Sequence, residues 1–168
     1  FKLLSWNPWQ SVLLRAAESY FRRGDFEDAV AAYDRAQRLA AAERREDEAF
    51  ALGFAAAAVK AQQGRHTEAK TRFRELALAP GRQSRASEAH LLAIYHAAQE
   101  ARSREPVSLD EYERLIAEHL ERWPTAASAS QARLWRGRLR EAAGQPEAAL
   151  VEYRGVLPNH AAFAEVVP

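Results

Sequence analysis

Cysteine and methionine are both missing from the 168 residues. Without cysteine there is no disulfide, no thiolate nucleophile and no thiolate-ligated metal. Cytosol and periplasm both stay open as compartments. Glycine and proline are scarce, seven of each, and no segment alternates β-branched residues, so little breaks helices or favours strands. No apolar run approaches the roughly 20 residues of a membrane-spanning helix, so no membrane insertion is expected. The formal net charge is only +1, which leaves no broad field to draw nucleic acid or an anionic bilayer. With no methionine and Phe at position 1, we expect a fragment of a larger protein, with a leader, anchor or further domain removed. The opening FKLLSW is compatible with the end of a preceding element.

What is present points one way. Alanine is abundant and arginine far outnumbers lysine; both rank high in helix propensity. Apolar residues make up 48% and charged residues 28%, a balance that suits a packed, soluble helical protein. An all-α fold is predicted.

Helix signals recur with short breaks. Asn7-Pro8 reads as a cap and a first-turn proline, opening a helix to about Arg23. Gly24-Asp25 breaks it, and Asp25 is placed to cap a second helix over about Phe26 to Ala42. The charged ERREDE, Glu43 to Glu48, leads into a third helix ending near Gln63. Gly64-Arg65 breaks again before a fourth, HTEAKTRFRELAL, that stops ahead of Pro80-Gly81. ASEAHLLAIYHAAQEAR carries Leu91, Leu92, Tyr95 and Ala98 on an apolar face. LDEYERLIAEHLERW does the same with Leu109, Tyr112, Leu115, Ile116, His119 and Leu120. Ser108 and Glu111 have the spacing of a capping box at its start.

Gly24 and Gly64 stand 40 residues apart, and Gly144 follows after a further 80. Such a period, with two helices per unit, signals stacked helical hairpins. Five residues after each glycine comes Ala29, Ala69 or Ala149, and nine after comes Tyr33, Phe73 or Tyr153. Residues four apart share a helix face, so each alanine allows close approach and each ring fills the space beside it. The units run over about 8–42, 47–79, 84–123 and 126–157. The third is irregular, SREPVS replacing its glycine turn, and residues 159–168 are expected to form a partial cap.

Tyr20, Gly24, Ala29, Tyr33 and Ala36, then Ala57, Gly64, Ala69 and Phe73, then Gly137, Gly144, Ala149 and Tyr153 resemble the tetratricopeptide repeat family. The segment from Glu121 to Tyr153 is similar to bacterial envelope members of it, with an aromatic-Pro at Trp123-Pro124 and Trp135 preceding Gly137. The resemblance covers about Leu13 to Leu157. It implies an α-solenoid of about four hairpins wound as a right-handed superhelix, the first helix of each hairpin lining a concave groove for a peptide or partner protein. It implies no catalytic residues and no cofactor. By that analogy the groove presents Leu14, Glu18, Phe21, Arg22, Phe54, Ala58, Gln62, Leu134 and Arg138. Phe21 and Phe54 either grip an apolar side chain or pack between units; Arg22 and Arg138 would hold acidic groups.

Other constellations have plainer readings. Arg133, Arg136 and Arg140 share a helical stripe that would bind an anion, or else face solvent beside Glu141 and Glu147. GRQSR, Gly81 to Arg85, lacks the strand, spacing and lysine of a phosphate loop. His90 and His96 are six apart and share no face as a metal pair would. His66, His119 and His160 complete the set. No nucleophile elbow or dinucleotide motif occurs. Asp110 and Glu111 sit in a first turn, where the helix dipole accounts for them. Trp123 and Trp135 are expected between helices. Trp6 and Trp9 either close the first hairpin or meet a portion now absent. The expected function is therefore a non-catalytic binding scaffold, in the cell envelope or the cytoplasm. Self-association as a module of a larger chain is the second reading, and anion binding through the arginine stripe the third.

Overall fold

In a computed structural model the described residues are 8–81, 84–158 and 161. Among them are eight helices and no strand: α1 Pro8–Arg23, α2 Phe26–Ala42, α3 Glu46–Gln62, α4 His66–Leu78, α5 Ala86–Arg102, α6 Asp110–Arg122, α7 Ala127–Ala142 and α8 Pro146–Arg154. They fall into two compact units, Phe1–Ala89 and His90–Pro168. The expected cap over 159–168, save residue 161, together with Asn7, Trp6 and the Trp9 side chain, lies outside the described residues.

One turn geometry recurs. At the end of α1, Gly24 N–H donates to Phe21 O (3.1 Å) and Asp25 N–H to Tyr20 O (2.9 Å). The same pair of bonds closes α3 through Gly64 and Arg65, and α7 through Gly144 and Gln145. This pattern uses up the last carbonyls of a helix and needs a left-handed residue. The glycines supply it, with φ of +82°, +70° and +72°. A β-carbon at any of the three would meet nothing within 4 Å, so backbone conformation rather than space calls for glycine there. The end of α2 repeats the bonds with Arg44 at φ +56°.

The helix starts differ from expectation. Asp25 makes no side-chain cap bond and pairs instead with Arg23 at 3.2 Å. Ser108 and Glu111 form no capping box. The N-cap residue is Leu109, Ser108 Oγ bonds to Asp110 Oδ2 (2.9 Å), and Glu111 pairs with Arg114 (3.6 Å).

Within the first unit α2 packs on both α1 and α3. Ala36, Ala40, Ala49 and Leu52 form one cluster, flanked by Leu13, Leu14 and Tyr33. Val30, Ala56 and Val59 form another, flanked by Phe21, Phe26 and Tyr33. Ala29 and Ala69 are fully buried and Phe73 nearly so, as the alanine-and-ring spacing predicts. Seven residues before the turn glycines stand Ala17, Ala57 and Gly137, all buried small residues. In the second unit Ile94 and Ala97 of α5, Leu115, Ile116 and Leu120 of α6, and Ala129 and Ala132 of α7 make one core, with Tyr112, Trp135 and Leu139 against it.

Charges tie the first unit together as well. Lys60 Nζ is almost wholly buried and donates to both carboxylate oxygens of Glu27 (2.8 Å each), with Glu68 at 3.3 Å. Arg65 pairs with the same two glutamates. Arg72 grips Asp34 in a two-point fork, at 2.8 and 2.9 Å.

Candidate partner-binding surface

The sequence-predicted surface divides by helix. On α1, Leu14, Glu18, Phe21 and Arg22 follow a spacing that keeps them on one face. Glu18 and Arg22 are exposed there, while Leu14 and Phe21 are half-buried. Leu14 leans on the Ala36–Ala40 cluster. Phe21 sits against Val30, Ala56 and Val59 and meets Phe26 edge-on, ring centres 5.7 Å apart. Phe21 therefore packs and shows an edge at once.

On α3 the face comprises Phe54, Ala58 and Gln62, the last two exposed. Phe54 is held on three sides: by Phe73 edge-on at 5.1 Å, by Phe50 at 6.2 Å, and by the Arg85 guanidinium 4.5 Å above its ring. Arg85 is fixed in turn by Glu88, at 2.7 and 2.9 Å. The sequence places Arg85 in a linker loop and gives no sign of this contact, which depends on how α5 begins.

Electrostatics tie Glu18 to the packing beneath it. Burial raises the Tyr33 hydroxyl above its ordinary pKa, and the nearby Glu18 carboxylate raises it further. Burial likewise pushes the Tyr112 hydroxyl to about 12, with Arg138 opposing the shift. Arg138 is exposed on α7, but Leu134 is only 3% exposed. Leu134 is a core side chain with no surface to offer a partner, because α7 is buried over a broad arc that includes Ala129, Ala132 and Gly137.

The three stripe arginines point to different acceptors, four in all. Arg133 donates to the carbonyls of Pro124 (3.0 Å) and Gly155 (3.3 Å), Arg136 to Glu152 (2.8 Å), and Arg140 pairs with Glu113 (2.6 Å). Their charges join α7 to its neighbours.

A buried polar cluster was not foreseen. His90 of α5 and His119 of α6 are both fully buried, their Nδ1 atoms 3.3 Å apart. His90 Nε2 lies 3.2 Å from Glu118 Oε2, and His119 Nε2 3.1 Å from Ser128 Oγ of α7. The Trp123 ring covers both, 5.0 and 5.4 Å away. Burial, with His90 second, lowers the His119 pKa to about 4. Among the described residues no group of three or more His, Asp or Glu could hold a metal ion.

Residues 11–40 match the family model of the tetratricopeptide repeat. No curated protein matches the chain. The matched segment contains α1, its Gly24 turn and most of α2, the hairpin whose left-handed glycine and buried alanines recur along the chain. Such repeats are in general protein–protein interaction modules, typically without catalysis of their own, and no described helix is long and apolar enough to cross a membrane. Over residues 11–40 the chain carries a tetratricopeptide repeat.

Proposed function

We propose that the chain is a non-catalytic scaffold that holds a peptide or a partner protein against the first-helix faces of its first unit. The observation that carries this reading is the condition of Phe21 and Phe54. Both are braced by neighbouring rings yet remain half-exposed, and exposed Glu18, Arg22, Ala58 and Gln62 accompany them on the same helices. A rigid aromatic edge loses little entropy when it meets a partner, and flanking charges set the register. Arg22 supplies a fork for a carboxylate and Gln62 both donor and acceptor.

The test is site-specific photo-crosslinking in cell extract. A benzophenone side chain at Gln62 or Ala58 should trap a discrete protein that the same group at Arg38, exposed on α2, does not trap. Equal capture from both positions would overturn the reading.

A second reading, self-assembly, has its own support. Leu150, Val151 and Leu157 of the second unit expose 36%, 67% and 45% of their surface, apolar area that a second copy could cover. Light scattering over a range of concentrations separates the two readings. A mass that rises with concentration, and that Val151→Glu abolishes, would support assembly.

A further inference from the structure

Where the end of α2, the start of α3 and the end of α4 meet, the first unit has a cleft of about 280 Å³. Its walls are apolar, with buried Ala49, Phe50 and Leu76 and the exposed Pro80 ring. Gln37, Arg44 and Glu46 complete the lining. The volume falls just under the roughly 300–1,000 Å³ of sites for drug-sized ligands, which limits an occupant to about the size of one amino acid.

The polar part of this lining is not used by the fold. In the charged run Glu43 to Glu48, Arg45 pairs with Glu43 at 2.6 Å and with Glu48. Arg44 and Glu46 are exposed, and neither side chain has a hydrogen bond or ion pair with any described residue, each other included. The half-buried Gln37 amide likewise has no hydrogen bond among the described residues. Gly53 gives it room: a β-carbon there would stand 2.7 Å from Gln37 Nε2 and 2.9 Å from Leu76 Cδ1. Arg44 also keeps a left-handed backbone, φ +56°, at a turn position that glycine fills elsewhere in the chain. Such strain gathers at ligand-binding places, and here it falls on a cleft residue whose side chain has no partner.

We propose that this cleft binds a free apolar α-amino acid, its carboxylate on the Arg44 fork, its ammonium on Glu46 and its side chain against Phe50 and Leu76. The Gln37 amide can donate to the carboxylate or accept from the ammonium. Charge complementarity selects this occupant. An interior peptide residue carries neither backbone charge and a terminal residue only one, whereas the free amino acid answers both Arg44 and Glu46. The inference goes beyond the scaffold reading and uses none of the residues assigned to the partner there, so its failure would leave that reading standing.

The experiment titrates the ¹⁵N-labelled full chain with L-phenylalanine and follows the amide shifts. The Ala49, Phe50 and Leu76 amides should shift saturably, with a dissociation constant of about 1 mM for so small a ligand in an open cleft. N-acetyl-L-phenylalanine lacks the ammonium and L-phenylalaninamide the carboxylate, and each should bind about tenfold more weakly. Arg44→Gly gives the turn the residue already used at 24, 64 and 144. It should weaken L-phenylalanine about tenfold and leave L-phenylalaninamide unchanged. Glu46→Gln should weaken L-phenylalanine and leave the N-acetyl derivative unchanged. The amide spectrum shows whether each variant is folded, and if one is not, the two derivatives on the wild type decide alone. No saturable shift, equal binding of all three ligands, or an Arg44→Gly effect as large on the amide as on L-phenylalanine would each overturn the proposal.

Discussion

Tyr153 of α8 lies so close over Gly137 of α7 that a β-carbon at position 137 would stand 2.2 Å from the ring. The ring is not free to retreat without loss, because its hydroxyl donates to Glu141 at 2.8 Å. Two effects oppose each other in Gly137→Ala. Alanine gains up to about 1 kcal/mol over glycine inside a helix, and overpacking costs about 1–3 kcal/mol. The clash wins, and a net loss of about 1–2 kcal/mol is expected in urea unfolding. In a Tyr153→Ala background the same substitution should become neutral or stabilising. A loss that persists there would place the strain elsewhere.

Arg44 offers the opposite sign. It holds the same left-handed turn position that glycine holds at residues 24, 64 and 144. A side chain there costs about 1–2 kcal/mol, while glycine loses some of that gain through the freedom it adds to the unfolded chain. Arg44→Gly should therefore stabilise by about 0.5 kcal/mol, and Gly24→Ala should destabilise by about 1 kcal/mol. Urea midpoints at unchanged slope would show both. A midpoint for Arg44→Gly below that of the wild type would mean that the Arg44 side chain contributes more than its backbone costs.

These two positions show what a single sequence can and cannot disclose. The turn glycines and the alanine-and-ring spacing are backbone-level and near-neighbour requirements, so they recur in the sequence wherever the geometry recurs. Helix limits at Arg23, Phe26 and Ala42 follow from them directly. Caps were less legible, because Asp25 and Ser108 each had another partner within two residues, Arg23 and Asp110. The surface was less legible again. Which side of α7 faces inward depends on how it meets α6 and α8, and Leu134 proved to be core. The His90–His119 cluster lies beyond any periodic reading, since its members sit 29 residues apart on helices joined by the irregular third connection.

Alanine at the seams carries a prediction of its own. Ala69 is fully buried, and Phe73, one turn on, meets Phe54 edge-on. Ala69→Leu would force that seam apart and should cost about 1–3 kcal/mol. Phe21→Ala should cost about 2 kcal/mol, less than the 3–5 kcal/mol typical of a fully buried phenylalanine, because the ring is only half-buried. Thermal melts followed by circular dichroism check both. An unchanged melt for Ala69→Leu would mean that its face is not a packed seam.

The Glu27–Lys60 pair links stability to pH from the acid side. Hydrogen bonding from Lys60, with the Lys60 and Arg65 charges adding to it, holds the Glu27 carboxyl below the usual carboxylate range. A depressed pKa means that the folded state binds the proton less readily than the unfolded one, so the contribution is present above the ordinary glutamate value. It is lost as the pH falls through the folded value. Glu27→Gln should thus lower the melting temperature at pH 7, because it leaves the buried Lys60 ammonium with the more distant Glu68 carboxylate, at 3.3 Å. That gap between variant and wild type should close as the pH falls through the depressed value of folded Glu27, where the wild-type carboxyl also becomes neutral. Lys60→Met removes the buried charge itself and should be tolerated better than Glu27→Gln, since a matched apolar side chain needs no counter-ion. Melting curves of the three proteins at pH 7 and pH 3 are the check, and a Glu27→Gln deficit that stays constant across that range would show that the pair is not what couples this unit to protons.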